Sequence, residues 1–314
     1  MPSISVFVPS YRRPAELERC VRAVAILDPP PTEIVIGLRP DDEEGTAAVE
    51  RLAGMSGPPV RMVEVLTPGH LPPLVAGLAA CRGDIMAVLD DDAVPRPGWT
   101  ACIAHWMASD DVVVVGGPVV DHPASRSPSR FVRSDRRTWY RGFARLPQPG
   151  GQRAAREVSY LKGGNAAYRR AALALLGFDM RLNRGAAVGY ELDVGLGLRR
   201  LGRLVFEPQM VVDHYPGERR AAPNRDAFER YAGDYTFNLF YIAAKRFGWG
   251  ELASFLFYMT LVGQAPSPGL LFLLPVATRQ GIPPGRLAAI LWRERLAALH
   301  QGLRARRTKR RTRT

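Results

Sequence analysis

Cysteine is scarce in this 314-residue chain: Cys20, Cys81 and Cys102 are odd in number, far apart and without CxxC spacing. That excludes a disulfide framework or a cysteine zinc site and makes a reducing compartment the expectation. No GxxxxGK[ST] or GxGxxG loop follows any apolar run, which counts against a nucleotidyltransferase built on a glycine-rich phosphate cradle. A DDxxD pattern is also missing, because Pro95 stands where its last aspartate belongs, and this argues against a prenyl-diphosphate enzyme. The short apolar stretch Ser3 to Pro9 has no basic residues ahead of it and is followed at once by Tyr11, Arg12 and Arg13, so it reads as a strand and not as a signal peptide. Acidic residues are in deficit, 30 against 43 Lys plus Arg, a formal charge of +13 that points to an anionic partner: nucleic acid, acidic lipid or a phosphorylated small molecule.

What is present is globular. The 46% hydrophobic and 23% charged fractions exclude a disordered or fibrous chain and predict a buried core. Ile4, Val6 and Val8 mark a buried strand closed by Pro9 and Ser10. Pro14 suits a first helical position, and Leu17, Cys20, Val21 and Val24 recur at helical spacing. Strands are predicted over Glu33 to Leu38, Val60 to Leu66 and Ile85 to Leu89, with helices over Gly45 to Ala53 and Leu74 to Cys81 between them. Such alternation predicts an α/β fold, a mostly parallel central sheet with helices on both faces. Further on come a helix over Thr100 to Met107, a β-prone run from Val112 to Val120, helices near Arg169 to Leu176 and Leu192 to Leu201, and a strand at Leu204 to Phe206.

The charge is uneven. The segment from Arg126 to Arg156 holds nine arginines and one acidic residue, interleaved with Phe131, Trp139, Tyr140 and Phe143. Seven basic residues follow from Arg304. Those two stretches contribute +8 and +7, leaving the rest of the chain at −2. From Leu252 to Thr278 there are 27 residues without a charge, yet Pro266, Pro268, Gly269 and Pro275 cut the run into pieces of about 12 and 8 residues, whereas a membrane span needs about 20. An in-plane or re-entrant hydrophobic hairpin and a pair of core helices are the two readings of this run.

The sharpest local feature is Val88-Leu89-Asp90-Asp91-Asp92-Ala93, three carboxylates at the end of a predicted parallel strand, where open α/β sheets bind ligands. Carboxylates this close repel unless a cation sits among them, and Mg²⁺ or Mn²⁺ with a diphosphate co-ligand meets that need.

The motif order resembles glycosyltransferase family 2, inverting nucleotide-sugar enzymes of GT-A fold. The resemblance runs from Ser3 to Pro216 and rests on Val8-Pro9-Ser10-Tyr11-Arg12, Gly83-Asp84-Ile85 leading into Leu89-Asp90-Asp91-Asp92-Ala93, and Gly163-Gly164-Asn165-Ala166-Ala167-Tyr168-Arg169-Arg170. It continues through Gly177-Phe178-Asp179, Glu191-Leu192-Asp193, Leu198-Arg199-Arg200-Leu201-Gly202, Glu207-Pro208 and Asp213-His214. It implies a metal-dependent transfer of a sugar from a nucleoside-diphosphate donor to a hydroxyl of a glycan or lipid-linked glycan, as in polysaccharide and cell-envelope synthesis. By that resemblance Pro9 and Tyr11 would border the base, Asp90 and Asp91 would contact the nucleotide, Asp92 and His214 would hold Mn²⁺ or Mg²⁺, and Gly163, Gly164 and Asn165 would form an acceptor-side loop. Glu191 stands at the position of the catalytic base.

This chain departs from the family at two points. The aspartate that ends the second strand in many members is absent from Val35-Ile36-Gly37-Leu38-Arg39-Pro40-Asp41, leaving Arg39 or Asp41 for that base contact. Tyr190-Glu191-Leu192-Asp193 puts a glutamate where the base aspartate is expected, with Asp193 as rival. Glycine 163 or 164 taken singly reads equally as part of a tight turn into the helix at Arg169, and Trp99 as a sugar-stacking residue or as core beside Pro97. The expected organisation is a catalytic domain over 1–216, with a nucleotide half 1–120, an acceptor half 121–216 and a basic loop 126–156. A helical extension follows over 217–303 and a disordered basic tail over 304–314. The expected location is cytoplasmic, at the inner face of a membrane whose anionic lipids attract the basic segments. The reading from a different class is an RNA-binding or membrane-tethering protein with an inert triplet.

Overall fold

The computed structural model describes residues 2–122, 154–216 and 225–311. The basic segment from Arg126 to Arg156 therefore lies outside the described residues except for 154–156. The described chain forms two compact units, one of 2–122, 154–178 and 194–216, the other of 179–193 and 225–311. The stretch 179–193 thus groups with the C-terminal helices, whereas the sequence reading put the boundary near 216.

In the first unit the elements run β1 (Ile4–Pro9), α1 (Pro14–Ala25), β2 (Glu33–Leu38), α2 (Glu43–Ala53), β3 (Val60–Glu64), α3 (Leu71–Ala80), β4 (Ile85–Leu89), β5 (Ala93–Pro95), α4 (Trp99–Met107), β6 (Val112–Gly116) and β7 (Val119–Asp121). They continue with β8 (Arg156–Glu157), β9 (Asn165–Arg169), α5 (Arg170–Leu176), most of α6 (Tyr190–Leu198), β10 (Arg203–Phe206) and β11 (Val212–His214). Local chemistry accounts for several starts. Pro14 opens α1, whose buried stripe is Leu17, Cys20, Val21 and Val24. Asp42 caps α2 by accepting from the Gly45 N–H. Helix α3 begins at Leu71, ahead of the expected Leu74, because prolines are tolerated in a first turn that lacks partners for its N–H groups.

The main sheet has the order β3-β2-β1-β4-β9-β6-β10-β8. The pairs β3/β2, β2/β1, β1/β4 and β6/β10 are parallel, while β9 runs antiparallel between β4 and β6. Every residue of β2, β4 and β6 is buried, as expected for strands covered on both faces. Gly163 and Gly164 do form a turn, but it leads into β9, and the helix expected near Arg169 starts only at Arg170, after that strand. The strand's Ala166 and Ala167 carry little β preference, but a slot between two buried strands rewards small side chains, and packing overrides propensity. The division expected near residue 120 falls inside β7, and β9 inserts between β4 and β6, so the two stretches share one sheet. A second sheet, β5-β11-β7, carries β11 antiparallel to β5 and parallel to β7.

The second unit holds a 3-10 turn (Met180–Leu182), the start of α6, α7 (Arg225–Arg246), α8 (Trp249–Leu261), the short pair β12 (Gly263–Gln264) and β13 (Ser267–Pro268), α9 (Leu270–Arg279) and α10 (Pro284–Arg311). Helices α7 and α10 pack closely where a side chain at Gly302 would meet Tyr241 O and Ala244 Cβ, each at 2.7 Å. Helix α10 continues through Arg304 to Arg311, where the sequence reading placed a disordered tail. Pro275 sits inside α9 and does not end it. The ring removes only the bond to the carbonyl of Leu271, a residue that faces solvent. Among the described residues no helix is long and apolar enough to cross a membrane.

Candidate active site

Because β2, β1 and β4 are parallel neighbours, the segments leaving their carboxyl ends meet: Ser10 to Arg13, Arg39 to Asp41, and Asp90 to Asp92. Ser10 donates its hydroxyl to Asp91 Oδ2 at 2.7 Å. Arg13 Nη1 reaches Asp91 Oδ1 at 3.3 Å and Asp92 Oδ2 at 3.0 Å, so one guanidinium bridges two of the three carboxylates. Burial pushes Asp91 up to about 6, with Ser10 and Arg13 pulling against it. Burial and the Asp92 charge raise Asp90 as well. For Asp92 burial is again the largest effect and acts upward, but His214 and Arg13 outweigh it and hold the carboxyl below its ordinary value.

The β5-β11-β7 sheet delivers the histidine. Register pairs His214 with Ala93 on one side and Asp121 on the other. His214 Nε2 lies 3.2 Å from Asp92 Oδ1 and Nδ1 lies 2.7 Å from Asp121 Oδ1. The hydrogen bond to Asp92, and after it that to Asp121, raises the imidazole above its usual range against the opposing effect of burial. Tyr215 follows, its N–H donating to Asp92 O at 2.8 Å and its ring stacked on His122 at 4.9 Å. Arg96 makes two 2.7 Å bonds to Asp213, which also meets His122 Nε2 at 2.8 Å.

Among the described residues no group of three or more His, Cys, Asp and Glu side chains is arranged to hold a metal ion unaided. The pair Asp92 and His214 nevertheless suits a divalent cation. Two donors each about 2.1 Å from an octahedral ion in adjacent positions stand about 3 Å apart, close to the spacing seen here. Asp121 on Nδ1 leaves Nε2 facing Asp92, the carboxylate–histidine support that orients metal-ligating imidazoles.

At the ends of β1 and β2, the Tyr11 hydroxyl donates to Asp41 Oδ2 at 2.9 Å, and the Arg39 guanidinium lies 4.8 Å from the Tyr11 ring centroid. Arg39 Nε is 3.0 Å from Asp41 Oδ1, an ion pair by distance whose angle does not make a hydrogen bond. Arg12 holds a positive φ of 56° and donates its N–H to Asp42 Oδ2, which turns the chain sharply out of β1. Pro9 ends β1 opposite Gly37.

Two expectations are corrected here. Trp99 is fully buried and donates its indole N–H to Asn165 Oδ1 at 2.8 Å, so the ring is core and cannot stack on a sugar. Asn165 is equally buried, its Nδ2 donating to Met210 O and Pro118 O, so the side chain ties the start of β9 to the β6–β7 and β10–β11 connections and does not face an acceptor. Gly163 is buried too, and a Cβ on Gly164 would lie 2.0 Å from Asp90 Oδ2, so this glycine is needed for the close approach of Asp90.

In the second unit, Asp193 accepts from Lys245 Nζ at 2.8 Å and from Arg246 Nε and Nη2 at 2.6 and 3.0 Å, with Lys245 also bound to Asp179 at 2.8 Å. Both Asp193 oxygens are spent on buried cations. Glu191, two residues earlier on α6, is half-buried. Sequence reasoning missed Ser10 and Arg13 on the triplet, Asp121 behind the histidine, and the Lys245 and Arg246 clamp. Arg13 alone had a signal, as a basic residue beside the Pro9-Ser10-Tyr11 turn.

A cavity of about 490 Å³ lined by Asp84, Asp110, Arg169 and Arg170 lies at the opposite end of the strands, away from the triplet. Residues 5–177, more than half of the chain, match the model of glycosyl transferase family 2. The chain belongs to glycosyltransferase family 2. It is 26% identical over 226 residues to the succinoglycan biosynthesis protein ExoM of Rhizobium meliloti (strain 1021), covering 70% of this chain and 69% of that protein. Among solved structures it is similar to the mannosyltransferase PcManGT of Pyrobaculum calidifontis, in complex with GDP-Man and Mn²⁺, with TM-score 0.56, 19% identity, and 96% of this chain and 87% of that one covered. It is also similar to S. aureus TarS 1–349 in complex with UDP-GlcNAc, with TM-score 0.57, 15% identity, and 99% and 92% coverage. These likenesses establish the GT-A fold, and family membership makes the chain a nucleotide-sugar glycosyltransferase, which sets aside the RNA-binding and nucleotidyltransferase readings.

Proposed function

We propose that this glycosyltransferase is metal-dependent and inverting, and that it moves a sugar from a nucleoside-diphosphate donor to a hydroxyl of a glycan or lipid-linked glycan at the cytoplasmic face of a membrane. The observation that carries the donor side is Asp92 facing His214 at the carboxyl end of β4, with Asp121 behind the histidine. Asp92 and His214 would hold Mn²⁺ or Mg²⁺, which supplies positive charge to a diphosphate leaving group. The solved relatives with GDP-Man and Mn²⁺ and with UDP-GlcNAc support a donor of this class.

Each side chain then has a task. Pro9, Tyr11, Arg39 and Asp41 border the base. Asp90 and Asp91 face the nucleotide, with Ser10 and Arg13 fixing the Asp91 carboxyl. Glu191 takes the proton of the acceptor hydroxyl as the oxygen bonds to the anomeric carbon and the bond to diphosphate breaks, a single displacement that inverts the centre. Asp193 is unsuited to that task because its lone pairs are engaged by Lys245 and Arg246. The succinoglycan biosynthesis relative supports a polysaccharide acceptor.

Incubation of the purified chain with Mn²⁺ and a panel of nucleotide sugars should release nucleoside diphosphate from one donor, and Asp92→Ala should abolish the release. Failure to bind or turn over any donor overturns the reading, as does full activity of Asp92→Ala.

A further inference from the structure

The second unit presents an apolar surface that its own packing leaves uncovered. Helix α9 exposes Leu270, Leu271, Phe272 and Leu274, with Leu271 67% and Leu274 62% accessible, while only Ala277 on this helix is fully buried. On α8, which packs beside α9, Phe257 is 71% exposed and Trp249 stands at the first position. Large apolar side chains concentrated at this density mark an interaction site. The charge around them is mostly basic, although Glu251 lies in the first turn of α8 and Arg286 and Arg293 pair with Glu229 and Glu294. Between Glu251 and Glu294 there are three arginines and no acidic residue, and from Arg295 to the C-terminus eight basic residues and no acidic one. The basic helix reaches the apolar pair directly: Arg306 donates to Phe247 O at 2.8 Å and its guanidinium lies 4.4 Å from the Trp249 ring.

We propose that the α8–α9 face docks into the surface of an anionic lipid bilayer, with α9 in the plane of the membrane and the basic end of α10 among the headgroups. A ten-residue helix is about 15 Å long, half of the roughly 30 Å hydrocarbon core, so α9 inserts shallowly and does not span. Apolar insertion and basic attraction are the two signals that together make peripheral binding stable. A tryptophan beside an arginine suits the boundary between acyl chains and headgroups. A protein partner accounts for the leucines but not for the basic run at the end of α10, which holds no acidic residue. This deepens the membrane placement proposed above and rests on the second unit alone, independently of the donor chemistry.

Flotation of the full chain with vesicles of phosphatidylcholine alone, and of equal parts phosphatidylcholine and phosphatidylglycerol, tests it. Binding to the mixed vesicles is expected, weakened by salt, and reduced roughly tenfold or more by Leu271→Ser with Leu274→Ser. Both positions face solvent, so thermal unfolding of the double variant should match the parent. Equal flotation of the double variant and the parent overturns the proposal, as does equal binding to both vesicle types. Self-association that the double variant abolishes, with no vesicle binding by either protein, overturns it too. Donor hydrolysis without vesicles, measured on the same samples, separates this outcome from a failure of the transferase reading.

Discussion

Glu191 and Asp193 stand two residues apart on α6 in very different surroundings. Asp193 is buried among Lys245 and Arg246, whereas Glu191 is half-buried. Glu191→Gln is expected to lower kcat by roughly a hundred- to ten-thousand-fold with donor affinity unchanged, measured by nucleoside diphosphate release and calorimetry. Asp193→Asn should instead cost about 3 kcal/mol of stability in urea unfolding, because it leaves buried cations short of a charge. A reversal of the two phenotypes would move the base to Asp193. The three aspartates were legible because adjacent carboxylates after an apolar strand are a local pattern. The partners of Arg13 were not, because nothing local says which carboxylates a flexible guanidinium will reach.

Among the elements, β9 and β11 place the most chemistry relative to their length. Strand β9 brings Asn165 beneath Trp99 and sets Gly164 against Asp90, while β11 sets His214 between Asp92 and Asp121. The indole N–H of Trp99 is the hydrogen-bond donor to buried Asn165 Oδ1, so Trp99→Phe should destabilise the protein by about 1–3 kcal/mol in urea or thermal unfolding, with the acceptor KM unchanged. Unaltered stability with a raised acceptor KM would return Trp99 to sugar stacking. Strands β1, β2, β4 and β6 were legible as continuous apolar runs, because strands covered on both faces need no alternation. Strand β9 was not, since Asn-Ala-Ala-Tyr-Arg becomes a strand only when β4 and β6 stand on either side to pair with it.

For the molecule as a whole, acid stability follows from the carboxylates clamped in the second unit. At Asp179 burial acts upward, but Lys245 and Tyr241 outweigh it and bring the carboxyl down to about 2 from 3.8. A depressed carboxylate stabilises the fold above its unfolded value and loses that contribution as pH falls through the folded value. Stability should therefore drop by about 2 kcal/mol from this group between about pH 4 and 2. Urea unfolding across that range checks it: Asp179→Asn should flatten the slope by about one proton, and an unchanged slope would remove Asp179 as the cause. The sequence by itself determined the α/β class, the family, the apolar strands and the acidic triplet, because each is carried by residues close together in the chain and read through periodicity or local charge. Only the tertiary structure decided which side chains answer the triplet. Arg13 is 78 residues from Asp91 and His214 lies beyond a further long stretch of chain, and sheet register alone brings such distant groups to hydrogen-bonding distance. It also decided that Trp99 and Asn165 are core and that Asp193 is clamped, since burial is a property of what packs around a residue.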